Sequence, residues 1–512
     1  MKKYLNKYNN AIIPLIILIM ALLMRTSFIN LSIYDADVIQ HLKYSDNISE
    51  GKYYFGGVRP TTIENSREES FGPFRYYLLA PIRYLTKDYN YTIIFIGILN
   101  SLAVLITYLL LNKFFNKFVA IVASLFYALS PWAVSLTSYS ALHSILPIIV
   151  ILNIYFLFDF ISNNKKLSLI FLALTLGIAI QVYLAGIQLI FIDIAALLFT
   201  GKIKWKNIKY YLISTIIFII TLIPFLINNH IRGRNIMLSI KEVLLYPIKY
   251  ANNSLLINIR DSIGIPIILG TNYFQNYLFG SYEFINSILI KLLYYSSSAI
   301  LAILIILGSL YVLIRIYKKE KKYLILGIWA IIPILLMLIR NKNVAPNHYI
   351  TLLPLPYILI SLGIYFLYKK TNKNIIKKTI IITTILLLLI STFFTIKIFT
   401  RADELGGSNG TYGIPYKYKL AAVDYVINND KEANVYYITR FDEYNELFKF
   451  KKFKGKLIYI ENINEIENAN GYLFLDNVTL DSPRKPNNQE NKIIENNTKE
   501  IIYFGKLQVI TL

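Results

Sequence analysis

The sequence predicts an all-α, polytopic membrane domain over residues 1–399 and a small extracytoplasmic α/β domain over residues 400–512. Three observations lead there. Apolar residues come in runs of about twenty, the length that crosses a hydrocarbon core of about 30 Å. Lysines cluster in alternate gaps between those runs. Beyond residue 399 the composition turns polar, rich in Asn, Lys and Glu, with short β-like stretches. Of 512 residues, 55% are hydrophobic and only 16% are charged. An ordinary soluble domain carries about 25% charged residues, so a soluble enzyme and a disordered chain are both excluded. The chain has no cysteine, which excludes a disulfide scaffold, zinc-thiolate sites and cysteine nucleophiles.

The apolar runs place crossings near Ala11–Ile33, Tyr91–Leu111, Phe118–Thr137, His143–Ile161, Leu167–Val182, Ala185–Phe199, Ile208–Ile227, Tyr294–Ile316, Tyr323–Ile339, Tyr349–Leu367 and Thr379–Phe399, about eleven in all. The first run ends in MRTSFINLS, without a small-x-small cleavage site, and reads as a retained anchor. The stretch Leu167–Phe199 is too long for one upright helix and splits at Tyr183-Leu184-Ala185-Gly186. With a cytoplasmic N-terminus, every inner connection is then lysine-rich. These lysines are Lys2, Lys3 and Lys7, then Lys113 and Lys117, then Lys165 and Lys166, then Lys202, Lys204 and Lys206. Lys318, Lys319, Lys321 and Lys322 follow, then Lys369, Lys370, Lys373, Lys377 and Lys378. The chain therefore reads as a multi-pass protein of the plasma membrane. Outer loops run over about 34–90 and 228–293, and the C-terminal domain lies outside. In that domain NVYYIT, KLIYI, GYLFLD and EIIYFGKLQVITL read as strands. YKYKLAAVDYVINN reads as an amphipathic helix with Leu420, Val423 and Val426 on one face, flanked by Ala421 and Tyr425. SPRKPNNQENK reads as a surface loop.

Lys and Arg number 53 against 30 Asp and Glu, a net charge of +23. In a soluble protein that excess points to nucleic acid. Here the lysines report orientation, and no nucleic-acid partner is called for. The arginines separate from them. Arg25, Arg59, Arg67, Arg75, Arg83, Arg232, Arg234, Arg260, Arg340, Arg401, Arg440 and Arg484 fall outside or at the outer face, and Arg315 falls inside. A guanidinium is a permanent planar fork that fits phosphate bidentately. As a group they point to a phosphate-bearing ligand at the outer face. Taken singly, Arg25 also reads as a snorkelling side chain, and loop arginines as partners of loop acids.

The first crossing exits into SIYDADVIQHLKYSDNISEGKYYFGG, which puts Asp35 and Asp37 close to the membrane surface. A carboxylate there is costly when buried and favourable beside a cation, a metal or a reacting proton. From Asp37 onward, Val38, Leu42 and Ile48 predict an interfacial helix with Asp37 as its N-cap and Asp35 as a loop acid. His41 shares a helix face with Asp37. Two such ligands do not make a metal site, so no metal ligands are assigned and a divalent cation stays an open option. Glu64, Glu68 and Glu69 lie downstream. GPFRYYLLAPIRYL is then amphipathic and reads as lying along the membrane surface.

These motifs, in this order, resemble the multi-pass glycosyltransferases of the GT-C superfamily. The resemblance is to the branch of dolichyl-phosphate-mannose protein mannosyltransferases and bacterial lipid-linked-sugar transferases. Asp35-Ala36-Asp37 with His41 resembles the acidic motif after the first helix. Gly72-Pro73-Phe74-Arg75-Tyr76-Tyr77-Leu78-Leu79-Ala80-Pro81 resembles the family's Gly-Pro segment. Ser130-Pro131-Trp132, through Ser138, Tyr139 and His143 to Leu146-Pro147, resembles its Ser-Pro-Trp run. Gly177, Gln181 and Tyr183 follow, with Tyr where a His is usual. Ile223-Pro224-Phe225-Leu226-Ile227, Asn347-His348-Tyr349 with Pro354, and Gly410-Thr411-Tyr412-Gly413-Ile414-Pro415 complete the series. The acidic pair is not intact, which leaves two registers. Asp37 matches better, because Asp-x-x-x-His continues into Leu-Lys.

The resemblance implies transfer of a sugar from a polyprenyl-phosphate donor to an acceptor lipid, glycan or protein, with inversion, at the extracytoplasmic face. Asp37 is the implied base, with Asp35 second. Arg25, Arg75, Arg340 and His348 are the donor-phosphate candidates. His41, Tyr76, Tyr77, His143 and Tyr349 are candidates for substrate binding, although interfacial anchoring accounts equally for the tyrosines. A polysaccharide polymerase or ligase using a pyrophosphate-linked oligosaccharide is the alternative enzyme. A lipid-linked-sugar transporter is the alternative outside enzymes. It calls for broken helices or repeats around a midplane site, and the sequence pattern contains neither.

Overall fold

In hydrocarbon every backbone N–H and C=O must pair within its own segment, so the apolar runs fold as helices. The computed structural model describes residues 2–53, 72–138, 142–231, 255–274, 285, 287–340, 346–408, 413–437, 443–460, 463–466, 469–476 and 488–512. Its first helix is α1 (Lys2–Thr26), followed by the short helices α2 (Ala36–Ser49) and α3 (Phe74–Leu85). The bundle continues with α4 (Tyr89–Phe114), α5 (Lys117–Leu129), α6 (Pro131–Ser138), α7 (Leu146–Asn163), α8 (Lys166–Val182), α9 (Gln188–Phe199) and α10 (Ile208–Ile231). It closes with α11 (Leu255–Ile268), α12 (Ile288–Tyr317), α13 (Lys321–Arg340), α14 (Leu355–Lys370) and α15 (Asn374–Glu404).

Among the described residues six helices are long and apolar enough to cross a membrane, or eight when each of two bent pairs counts as one span. Three shorter apolar helices, Ala11–Thr26, Lys166–Val182 and Leu184–Phe199, occupy the remaining expected crossings. The bends correct the sequence reading, which contained no broken helix. The axis turns by 48° between α5 and α6, and by 60° between a 3-10 turn at Pro346–Leu352 and α14. Pro131 supplies the physical reason at the first break, since it has no N–H to donate into α5.

The split inside Leu167–Phe199 falls where the sequence placed it. Tyr183 is extended and a 3-10 turn, Leu184–Ile187, separates α8 from α9. Helices α12 and α14 pack at a pair of glycines. A Cβ on Gly308 would lie 2.0 Å from Leu359 O, and one on Gly363 would lie 2.3 Å from Leu304 O. Small residues let two backbones approach where there is no water to drive association.

Lysines knit one end of the bundle. Lys321 Nζ donates to Thr200 O at 2.9 Å, Lys322 Nζ to Phe114 O at 3.3 Å, and Lys113 pairs with Asp159 at 2.7 Å. At the other end sits the C-terminal domain, formed by α16 (Tyr416–Asn429), β1 (Asn434–Tyr437), α17 (Glu443–Phe450), β2 (Lys456–Tyr459), β3 (Tyr472–Asp476), α18 (Asn488–Asn497), β4 (Glu500–Phe504) and β5 (Leu507–Thr511). The sheet order is β2-β1-β3-β5-β4. The first three strands run parallel, and β5 joins β3 and β4 antiparallel.

Two expectations change here. The buried face of α16 is Tyr416, Lys419, Ala422, Val423 and Val426, whereas Leu420 is half-buried and Ala421 exposed. The face rotates because Lys419 is drawn inward by a partner in another element. SPRKPNNQENK is not all loop, because Asn488 opens α18, and its first part lies outside the described residues.

The domain is not packed on the bundle as a separate ball. One apolar cluster joins Val423, Val426, Val435, Phe474 and Val509 of the domain to Tyr34, Val38, Ile39 and Leu42 around α2 and to Tyr89 and Ile93 of α4.

Candidate active site

The acidic segment is the stretch between α1 and α2. After a 3-10 turn at Ile29–Leu31 the chain extends through Ser32 and Ile33, and α2 begins at Ala36. Asp35, not Asp37, is the N-cap. Its backbone is extended and its Oδ1 accepts from Val38 N at 2.9 Å. The correction has a steric origin: extended backbone at Asp35 aims its short carboxylate at the N–H three residues on, whereas Asp37 is already helical. Asp37 therefore stands in the first turn, half-buried, where the helix dipole favours a negative charge.

The extended segment is gripped from several sides. Ile33 N donates to Ser138 O at 2.9 Å, at the end of α6. Tyr89 Oη donates to Ile33 O at 2.7 Å. Tyr416 N donates to Ser32 O at 2.9 Å, and Lys419 Nζ donates to Tyr34 O at 2.6 Å. Tyr34, Tyr89 and Tyr416 pack as a triad with ring centroids 5.1–5.2 Å apart. Burial, seconded by Asp88, pushes the Tyr416 phenol up and keeps it neutral.

Helix α3 brings the next residues in. Gly72 lies so close to α8 that a Cβ would fall 2.6 Å from the Gln181 side chain. That approach seats the start of α3 and explains a glycine at the head of the Gly-Pro segment. Arg75 and Tyr76 are both fully buried, while Tyr77 is 39% exposed. His41 Nδ1 and Tyr76 Oη are hydrogen-bonded at 3.2 Å, and Tyr44 packs on Tyr76 with centroids 5.3 Å apart. The pairing of α2 with α3 thus brings His41 and Tyr44 against Tyr76. Arg83 locks it. Arg83 Nε and Nη2 donate to the two oxygens of Asp46 at 2.7 and 2.9 Å, and Nη1 donates to Lys87 O at 2.7 Å. Sequence reasoning counted Arg83 among the outer arginines but gave it no role. Its spacing of eight from Arg75, on the same helical face, was the available signal.

Arg25 has a different setting from the phosphate site expected of it. It is 3% exposed, and its Nη1 and Nη2 donate to Ala128 O at 3.0 Å and Tyr127 O at 3.1 Å. Those carbonyls lie just before Pro131, where the missing proline N–H leaves α5 short of donors. Arg25 supplies them, and Thr395 Oγ1 supplies Leu129 O at 2.6 Å.

His348 and Tyr349 lie in the 3-10 turn Pro346–Leu352 and join another network. Gln188 Nε2 donates to His348 O at 3.2 Å, Thr351 Oγ1 bonds Gln188 Oε1, Trp329 Nε1 donates to Thr351 O at 2.8 Å, and Tyr349 Oη donates to Ser262 O at 3.1 Å. The side chains of His143 and Arg340 lie outside what is described, as do Arg59, Arg67, Arg232, Arg234, Arg440, Arg484, Glu64, Glu68 and Glu69. Among the described residues no three His, Cys, Asp or Glu side chains gather as a metal site.

Against the Tyr34, Tyr89 and Tyr416 triad and the Arg83–Asp46 pair, α2 and the C-terminal domain enclose a cleft of about 470 Å³ that Lys43, Glu50, Lys87, Glu446 and Lys449 also border. Lys43 reaches Glu446 across it at 3.5 Å.

Residues 70–227 match the family of dolichyl-phosphate-mannose-protein mannosyltransferases. The whole chain is similar in fold to ArnT from Cupriavidus metallidurans bound to undecaprenyl phosphate, at 9% identity, with 97% of each chain covered and a TM-score of 0.59. The same protein in its apo state gives 9% identity, 97% coverage of each chain and a TM-score of 0.57. The Archaeoglobus fulgidus oligosaccharyltransferase, tethered with an acceptor peptide, gives 13% identity and a TM-score of 0.52, covering 93% of this chain and 70% of that one. No curated protein matches the sequence.

Proposed function

We propose that this chain is a multi-pass membrane glycosyltransferase that moves a sugar from a polyprenyl-phosphate donor to an acceptor hydroxyl or amine, with Asp37 as general base. The observation that carries the reading is a coincidence. The mannosyltransferase match begins at residue 70, where the chain enters α3, and the whole chain shares its fold with an ArnT solved with undecaprenyl phosphate. Helix α3 of the matched segment packs on α2, which carries Asp37 in its first turn.

In the proposed step the acceptor oxygen or nitrogen attacks C1 of the sugar from the side opposite the phosphate. The new bond to C1 forms as the C1–O bond to phosphate breaks, which inverts the anomer. The acceptor's proton passes to Asp37, and the electron pair leaves with the polyprenyl phosphate. A general base of this kind contributes about 10²–10⁴-fold. Asp37 is chosen over Asp35 because it stands in the Asp-x-x-x-His register that continues into Leu-Lys, while Asp35 Oδ1 caps α2. Arg75 is the cation we place against the departing phosphate, because a desolvated guanidinium acts most strongly on developing charge. His348, in the second network, and Arg340, whose side chain lies outside what is described, stay donor-phosphate candidates, and His41, Tyr76 and Tyr77 are the proposed contacts to sugar or acceptor. Arg25 fits a helix-break tie better, with both terminal nitrogens on carbonyls. The lysine-knit end of the bundle reads as cytoplasmic, which puts Asp37 and the C-terminal domain on the extracytoplasmic side.

The test is Asp37→Asn, assayed with the lipid-linked sugar fraction extracted from the source cells as donor. Transfer should fall about 1,000-fold, with undecaprenyl phosphate binding and thermal stability unchanged. Full transfer by this variant sinks the assignment.

A further inference from the structure

We infer that Lys419 of the C-terminal domain is a positioning residue for sugar transfer: its buried ammonium holds the Tyr34 carbonyl and thereby fixes the backbone that presents Asp35 and Asp37. The inference rests on the reading of the acidic segment given above.

A lysine on a helix of a polar domain belongs in water. Lys419 is instead 4% exposed, and its Nζ lies 2.6 Å from Tyr34 O. Burying an ammonium is costly unless strong hydrogen bonds offset the lost hydration. A charge-assisted bond to a buried carbonyl is such a bond. Tyr34 O belongs to the peptide that links Tyr34 to Asp35, so the ammonium sits one peptide away from the N-cap of α2.

The grip is also continuous. Tyr416 N takes Ser32 O, Tyr89 Oη takes Ile33 O and Lys419 takes Tyr34 O. Three successive carbonyls of the extended segment are thus held by groups remote in sequence, and two of those groups come from α16. Pro415, just before α16, also forms an antiparallel bridge with Ile33. An apolar side chain at position 419 would fill the space and leave the Tyr34 carbonyl buried without its cation. The segment would then be free to shift, and a shift of about 1 Å in a reacting group costs about 100-fold in rate. The C-terminal domain therefore sets the register in which the acid is offered.

The experiment uses the full-length protein in detergent or vesicles and the same extracted donor fraction. Lys419→Met should lower turnover at saturating donor about 100-fold while leaving the affinity for undecaprenyl phosphate within about twofold. Lys419→Arg, which restores a buried cation, should recover part of that loss. Lys419→Ala, purified with propylamine present, should be active, and dialysis of the amine should reversibly remove the activity. That arm stands even when Lys419→Met does not fold. Full turnover by Lys419→Met, or a Lys419→Ala protein indifferent to propylamine, overturns the inference. Failure of the base assignment is separate, because it shows as full turnover by Asp37→Asn. An active Asp37→Asn together with an amine-dependent Lys419→Ala keeps the positioning role and moves the acid to Asp35.

Discussion

The two faces of α2 have opposite characters. One carries Asp37, His41 and Tyr44 towards α3 and keeps polar groups near one another, with Asp37 and Tyr44 half-buried. The other carries Val38, Ile39 and Leu42 into the core shared with the C-terminal domain, and at the far end of α2 Asp46 reaches across to Arg83 of α3. The difference teaches how a reactive carboxylate is held. Its backbone has to be rigid, and apolar burial with the part-buried Arg83–Asp46 pair supplies that. Its carboxylate sits in the first turn of α2, half-buried rather than sealed in the core. A helix with both faces in a core would bury the acid, and one with neither would let it wander.

The sharpest break of this comparison sets the two aspartates against each other. Asp37→Asn should cost about 1,000-fold in transfer, whereas Asp35→Ala should first lose about 1 kcal/mol of stability as the cap is removed. Transfer rates and thermal unfolding of both variants in one detergent decide it, and the reverse pattern moves the base to Asp35. Next in size is the tie between α2 and α3. Arg83→Met leaves Asp46 with only its exposed lysine partner, and should destabilise by about 2 kcal/mol, below the range for breaking a fully buried pair because Asp46 is part-exposed. An unchanged melting temperature means that this pair does not hold α2 to α3. Arg25→Met should cost about 2 kcal/mol through the carbonyls it strands at the α5 break, with undecaprenyl phosphate affinity unaltered. A tenfold loss of that affinity returns Arg25 to the phosphate site. Smallest is Tyr76→Phe, which removes the 3.2 Å bond to His41 and should cost about 1 kcal/mol in stability.

The apolar runs, the lysine pattern and the polar tail were legible along the chain because each is a local property. Hydrophobic length decides what crosses a bilayer, and lysines mark the ends whatever the helices pack against. The helix over Tyr416–Asn429 and the tail's β-forming runs were legible for the same reason, except that EIIYFGKLQVITL folds as two antiparallel strands, β4 and β5. The Gly-Pro segment was legible as a motif, although its cause, the approach of Gly72 to Gln181, was not.

The sequence by itself thus determined a multi-pass helical chain with an α/β tail and an acidic segment after the first helix. Only the tertiary structure decided which aspartate caps α2, where the guanidinium of Arg25 is spent, and what holds the acidic segment still. The physical reason is range. A cap depends on the backbone angle at one residue, Arg25 answers a proline more than a hundred positions away, and Lys419 bonds a carbonyl 385 residues before it. Side-chain identity alone marks such groups as charged, and their partners appear only once the chain has folded.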